Sequence, residues 1–224
     1  MSDEGLNADF GKLAVAHTAA MDWQASPSPT VWRKRLDLAG PSETSRVTAV
    51  VRYDADSAFA SHPHPGGEEI LVLDGVFSDE HGDYPAGSYL LNPEGFDHAP
   101  FSKPGCVLFV KLRQYPGPDR KHIIIDTNAA DWRPGPAPGI AVQPLYAEDG
   151  YPEEMVLVRF DAGATYPEHD HPAGEEIFVL EGGVGDEHGA CAAGSWVRYP
   201  PGSSHSVHSE AGAVLYVKIG HLGK

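Results

Sequence analysis

The stretch HPHPGGEEILVLDG, residues 62–75, decides how this chain folds, because HDHPAGEEIFVLEG follows it at residues 169–182. The offset is 107. Carried outward from that match, residues 52–111 lie on residues 159–218 without a gap, and 29 of the 60 pairs are identical. DEHG (79–82) falls on DEHG (186–189), and AGSYLLNPEGFDH (86–98) on AGSWVRYPPGSSH (193–205). Repetition at this period and fidelity means one folding unit used twice. Upstream, Asp22-Trp23 with Pro27 and Pro29 matches Asp131-Trp132 with Pro136 and Pro138 at an offset of 109, so a loop between differs by two residues. The expected boundaries are an N-terminal arm at 1–21, a first domain at 22–126 and a second at 127–224.

Within each unit, short runs of Val, Ile, Leu, Tyr and Phe are punctuated by the chain's 25 glycines and 20 prolines, the pattern of sequential β-strands and turns. An all-β fold follows, and a chain of 224 residues suffices for two domains with their own cores. The segment 122–125 reads as a short apolar strand that crosses to the neighbouring unit. The arm at 1–21 is expected to form a short helix or an ordered arm, or to fray.

The 16 Lys plus Arg against 32 Asp plus Glu give a net charge of −16, which argues against direct binding to nucleic acid. Two cysteines, Cys106 and Cys191, sit at non-equivalent repeat positions and are expected to be free, buried or half-buried thiols in a reducing compartment. The acidic N-terminus lacks the features of a secretory signal, and no apolar run reaches membrane-spanning length. The expectation is a soluble cytoplasmic protein with no membrane partner.

Side chains two apart on a strand share a face, so His62 pairs with His64 and His169 with His171. A His-x-His pair alone is more often an exposed strand pair than a ligand pair. Here each is followed by two acids and, further on, by His98 or His205. The intervening Pro-Gly turn breaks the alternation, so parity cannot choose between Glu68 and Glu69, or between Glu175 and Glu176.

His62, His64, Glu68 and Gly75, and again His169, His171, Glu175 and Gly182, resemble the first cupin motif: His-x-His, three residues, Glu, six residues, Gly. Gly87, Pro93, Gly95 and His98, and Gly194, Pro200, Gly202 and His205, resemble the second. The resemblance implies two tandem cupin barrels, of the jelly-roll or double-stranded β-helix kind. It also chooses the acids: the implied metal ligands are His62, His64, Glu68 and His98 in the first copy, and His169, His171, Glu175 and His205 in the second. Three imidazoles and a carboxylate suit Zn, Fe, Mn, Ni or Cu, one divalent ion per domain. The chain departs from the motifs at Asp56, where Gly163 is the usual glycine, and at Ser102 and Ser209, where Asn is usual. No ligand is lost by either departure.

Among cupins, the Trp-x3-Pro-x-Pro opening, the phrase GGEEILVLDG and the run GCVLFVKLR are similar to the C-terminal cupin domain of ChrR-type anti-sigma factors. That resemblance implies a regulatory, stress-sensing protein, with a sigma factor or another protein as partner. The N-terminal zinc domain through which such proteins hold the sigma factor has no counterpart in these residues. The resemblance extends also to iron dioxygenases that cleave β-diketones and hydroxyacetophenones, which implies a small-molecule ligand in the barrel. A homodimer is expected from exposed barrel edges. DEHG is read as a hairpin turn, with His81 and His188 outside the site. Tyr84, Phe101 and His208 differ between the copies and are expected to distinguish the two pockets. His17, His122 and His221 are read as surface histidines.

Overall fold

The computed structural model describes residues 5–41 and 44–223. Among them every named element but one is a β-strand, the exception being a 3-10 turn at Thr18–Ala20. No helix among the described residues is long and apolar enough to cross a membrane. The chain divides into two compact units, residues 5–8 with Met21–Ala129 and Asp9–Ala20 with residues 130–223.

In the first unit the main sheet is antiparallel throughout, with strands in the order Ile123–Asp126, Ser88–Asn92, Glu68–Asp79, Cys106–Leu112, Arg46–Tyr53, Val31–Ala39 and Gln24–Ala25. The second unit repeats it with Ala14–His17, Ser195–Tyr199, Glu175–Asp186, Ala213–Ile219, Glu154–Phe160, Ile140–Tyr146 and Arg133–Pro134. Short strands complete each barrel: Phe101–Ser102 pairs Ser57–Ala58 and the end of Glu68–Asp79, while Thr165–His171 pairs Ser203–His208. Two sheets closed by one long shared strand make a jelly roll.

Both edge strands stand just ahead of a repeat. Ile123–Asp126 pairs with Ser88–Asn92 and stays with the first unit instead of crossing to the second. Ala14–His17 pairs with Ser195–Tyr199, which gives residues 9–20 an ordered place in the second unit. Each repeat's leading strand therefore caps an exposed sheet edge, satisfying the backbone groups that an edge leaves open.

The long strands Glu68–Asp79 and Glu175–Asp186 bend midway to serve both sheets. Their pairing slips by one residue beside Val72 and Val179, a bulge that turns the strand. The glycine after the bulge has no alternative. Gly182 has φ +65°, and a Cβ there would lie 2.0 Å from the Gly212 carbonyl oxygen; Gly75, at φ +74°, would meet the Gly105 carbonyl at 2.1 Å. Asp56 adopts φ +60° where Gly163 has +79°, so the first copy keeps the turn with one of the few side chains that tolerate this region.

Alternation on these strands turns Ile70 and Val72 inward with Val31, Tyr53, Leu108 and Val110, and Ile177 and Val179 inward with Phe160, Val207, Leu215 and Val217. Burial of each such side chain contributes about 1.5–3 kcal/mol. The tryptophans that open the repeats lie flat under equivalent arginines, Arg52 over Trp23 at 4.8 Å and Arg159 over Trp132 at 4.7 Å. Cys106 is buried and Cys191 half-buried, both as free thiols, and burial pushes the Cys106 thiol up to about 11.

Replacing Gly202, at φ +81° in open space, by Ala is expected to cost about 1 kcal/mol. Gly182→Ala, where the backbone must also move, is expected to cost about 3 kcal/mol. Urea unfolding of the two variants checks this; equal midpoints would show that the Gly212 carbonyl does not reserve position 182 for glycine.

Candidate metal centres

Each candidate site is assembled where the small sheet meets the long bent strand. His62 lies opposite His98 in the register of two antiparallel strands, and His169 lies opposite His205. His64 and His171 follow two residues on. The chain then turns through Gly66 and Gly67, both at φ +72°, or through Gly174 at +75°. This turn ties the two motifs together: the His64 carbonyl accepts from the amides of Gly67 and Gly95, both at 3.1 Å, and the His171 carbonyl from Gly174 at 3.1 Å and Gly202 at 2.9 Å.

The turn also resolves the choice between adjacent acids. Glu68 points inward with Ile70 and Val72, while Glu69 points to the opposite face, where its Oε1 accepts from the Tyr89 hydroxyl at 2.8 Å. Glu175 is inward in the same way, and Glu176 faces out to meet His221 Nε2 at 2.8 Å. That contact buries the His221 imidazole to 5% exposure, so His221 is not the surface histidine expected. His17 is exposed, its Nδ1 2.9 Å from Ser195 Oγ, and His122 is exposed with its ring against Phe96.

In the second barrel His169, His171, Glu175 and His205 each bring a donor atom to within 4.8 Å of all the others. Glu175 Oε2 is 3.4 Å from His171 Nε2 and 3.3 Å from His205 Nε2. All three of these atoms are buried without a hydrogen-bond partner among the described residues. In the first barrel the group within 4.8 Å is His62, His64 and His98, and Glu68 Oε2 stands 3.5 Å from both His64 Nε2 and His98 Nε2. Metal–ligand bonds of about 2.0–2.2 Å place neighbouring donors about 3.0–3.5 Å apart. The Glu–His pairs of both clusters have that spacing. In the second barrel the orphaned buried atoms converging on one point are what a cation would satisfy, while in the first His64 Nε2 and His98 Nε2 form a hydrogen bond at 2.9 Å and Asn92 donates to Glu68 Oε2.

Proton positions suit the same use. His62 Nδ1 lies 2.9 Å from the Ala60 carbonyl and His169 Nδ1 2.8 Å from the Pro167 carbonyl. A carbonyl only accepts, so each Nδ1 carries the hydrogen and each Nε2 presents a lone pair. Burial, with His62 and Arg113 nearby and Asp97 opposing, lowers the His64 pKa from 6.5 to about 4, and burial likewise lowers His171. Both stay neutral at pH 7. His205 is disfavoured as a cation by burial, yet Glu175 and Asp186 outweigh this and raise its pKa. Burial raises the Glu68 pKa against the pull of His98 and Asn92, so its ionised form needs a compensating positive charge.

Sequence reading missed Asp79 and Asp186, the first residues of the repeated DEHG. Each caps the expected hairpin turn, Asp79 Oδ1 accepting from the amides of His81 and Gly82, Asp186 Oδ1 from His188 and Gly189. The other oxygen reaches inward: Asp79 Oδ2 is 3.1 Å from His98 Nδ1, and Asp186 Oδ2 is 3.4 Å from His205 Nδ1. A carboxylate there fixes the ring and its tautomer. Recurrence of DEHG was the available signal, but turn chemistry alone accounted for it. The surroundings differ between copies as expected from Tyr84, though by an exchange of positions. In the first barrel Tyr84 donates to Asp79 and Asn92 to Glu68; in the second, Cys191 replaces Tyr84 and Tyr199, replacing Asn92, donates to Asp186.

Asp186→Asn keeps an oxygen for the turn but loses the acceptor for His205. Divalent-metal affinity of the second barrel is expected to fall about 10- to 100-fold with no change in fold. Metal titration of this variant checks it; unaltered affinity would show that Asp186 serves the hairpin only.

The sequence matches the family described as the ChrR cupin-like domain twice, over residues 12–116 and 120–223. A search of curated proteins gave no match. Among solved structures, a candidate dioxygenase from Nostoc punctiforme PCC 73102 superposes with a TM-score of 0.78 at 15% identity, over 96% of this chain and 85% of that one. Oxalate decarboxylase from Lactobacillus farciminis, solved as a formate complex, gives 0.67 at 12%, over 97% and 89%. The bacterial pirin YhhW from Escherichia coli, in complex with nickel(II), gives 0.70 at 12%, over 93% and 98%. At such identities these likenesses concern the fold. The two family matches span nearly the whole chain, and it is a double-cupin protein of the ChrR cupin-like family.

Proposed function

We propose that each barrel holds one divalent metal ion on three histidines and a glutamate, and that the metal-bound protein acts on a small organic molecule as a dioxygenase-type enzyme. The observation that carries this reading is the open side of each cluster. His62, His64, Glu68 and His98 line one wall of a cavity of about 420 Å³, and His169, His171, Glu175 and His205 line one of about 510 Å³. Such volumes suit small-molecule ligands. Four protein ligands would close a tetrahedral zinc site but would leave two positions of a six-coordinate ion for other ligands.

Iron or manganese bound there would polarise a chelating carbonyl group and exchange an electron with dioxygen. The chain's own residues do the rest. His62 and His98 present Nε2 lone pairs with their Nδ1 protons held on the far side by the Ala60 carbonyl and Asp79. Glu68 offsets part of the ion's charge. Val31, Ile70, Leu108 and Val110 give the cavity apolar walls that offer no group to compete for the open positions. The candidate Nostoc dioxygenase with the same fold supports this reading, and the substrate class proposed, a β-diketone or hydroxyacetophenone, is the one that the resemblance to iron dioxygenases implies.

The family's description supports a second reading, a regulator whose metal or ligand state controls a protein partner such as a sigma factor. Anaerobically purified protein is expected to contain two metal ions per chain, with His98→Ala and His205→Ala each losing one. With ferrous iron, a β-diketone or hydroxyacetophenone is expected to drive oxygen uptake that these variants diminish. Two metals without uptake, together with retention of a sigma factor on the immobilised protein, would favour the regulator; failure to retain metal would contradict both.

A further inference from the structure

The two clusters match in ligand type and in burial, but not in what their donor atoms already touch. His64 and His171 are 7% and 6% exposed, His98 and His205 1% and 2%. In the first barrel the donor atoms are partnered by protein groups. His64 Nε2 and His98 Nε2 are hydrogen-bonded at 2.9 Å, and Asn92 Nδ2 donates to Glu68 Oε2 at 3.0 Å. In the second barrel the equivalent His171 Nε2, His205 Nε2 and Glu175 Oε2 are buried without a hydrogen-bond partner among the described residues.

His98 Nδ1 faces Asp79 Oδ2 at 3.1 Å, and a carboxylate only accepts, so His98 carries its hydrogen on Nδ1. His98 Nε2 is then the acceptor, and His64 Nε2 the donor, of the bond between them. A cation entering the first cluster breaks that bond, and the hydrogen has to leave His64 Nε2, the nitrogen that would hold the ion. Asn92 meanwhile donates to the very oxygen that the ion would share. In the second cluster no hydrogen bond of these three atoms to a described residue has to break, and an ion there satisfies all three. Leaving a buried polar atom unpartnered costs more than a made hydrogen bond contributes, so the difference favours the second barrel.

The difference traces in part to one repeat position. Asn92 corresponds to Tyr199, whose hydroxyl donates to Asp186 Oδ2 at 2.5 Å and not to Glu175. One effect opposes: Tyr199 shares the oxygen that faces His205 Nδ1, and that contact is 3.4 Å against 3.1 Å behind His98. It acts through the imidazole ring rather than on a donor atom, and an aspartate stands behind the ring in both barrels.

Building on the metal reading above, we infer that the two centres are unequal: the second barrel takes its divalent ion first and holds it more tightly, while the first carries an exchangeable ion, weakened by Asn92. At limiting metal the chain then carries one ion, in the second barrel, and the occupancy of the first follows the supply of free metal.

The test uses full-length, metal-free protein titrated with zinc(II) against a chelator of known affinity. His98→Ala leaves the second cluster intact and His205→Ala the first. The second cluster is expected to bind zinc about tenfold or more tightly than the first, about 1.4 kcal/mol, and the unaltered protein to fill in two steps. Asn92→Leu, added to His205→Ala, gives Glu68 the unpartnered state of Glu175 and is expected to tighten the first cluster about three- to tenfold. The comparison of the two histidine variants needs no change at Asn92 and decides the order of loading by itself. Equal affinities, tighter binding by the first cluster, or an Asn92→Leu protein of native circular dichroism that binds no better would overturn this inference alone. Absence of zinc from either histidine variant would overturn the metal reading for that barrel and this inference with it.

Discussion

A carboxylate buried among imidazoles is the constraint on which both barrels are built. Glu68 and Glu175 are 7% and 5% exposed, each at the inner start of a central strand whose other inward residues are apolar. Removing an ionised carboxylate from water costs several kcal/mol, about what a domain's net stability can bear, unless a positive charge stands beside it. Neutral imidazoles do not supply that charge, but their lone pairs let a cation supply it. The motif glycines, the turn that joins His64 to Gly95 and the aspartate behind His98 make sense as the framework holding four donors around that point.

Duplication kept this framework and released the rest. Ligands, the DEHG aspartate and the bulge glycines match between the copies, as does the Trp–Arg stacking that closes the outer sheet. What changed lies around the cavity and behind the ligands. A tyrosine hydroxyl reaches the same aspartate from Tyr84 in one barrel and from Tyr199 in the other, so the contact was preserved while the residue that makes it moved. Asn92, freed from that contact, donates to Glu68 instead, leaving the first site's carboxylate with a hydrogen bond for which the second shows no equivalent among the described residues. One scaffold thus offers two similar metal environments beneath two dissimilar cavities.

Much of this was legible in the chain because a gapless offset of 107 carries its own check: whatever folds one copy must fold the other. The β class and the paired strands follow from periodicity and the turn residues, and the eight candidate ligands from the resemblance of the two motifs to those of cupins. Periodicity alone could not choose Glu68 over Glu69, since the glycine turn resets the alternation; the backbone at Gly66 and Gly67 makes the choice. Asp79 was passed over because a turn explained it fully, and only the structure reveals that its second oxygen points inward. The leading strand 123–126 was sent to the wrong barrel because an apolar strand's partner is a long-range matter that local pattern does not encode.

Anomalous diffraction from crystals of the metal-loaded protein tests the central claim most directly. The account predicts two peaks per chain, one about 2.0–2.3 Å from donor atoms of His62, His64, Glu68 and His98, the other at that distance from those of His169, His171, Glu175 and His205. Peaks elsewhere, or none in protein shown to be intact, would contradict it.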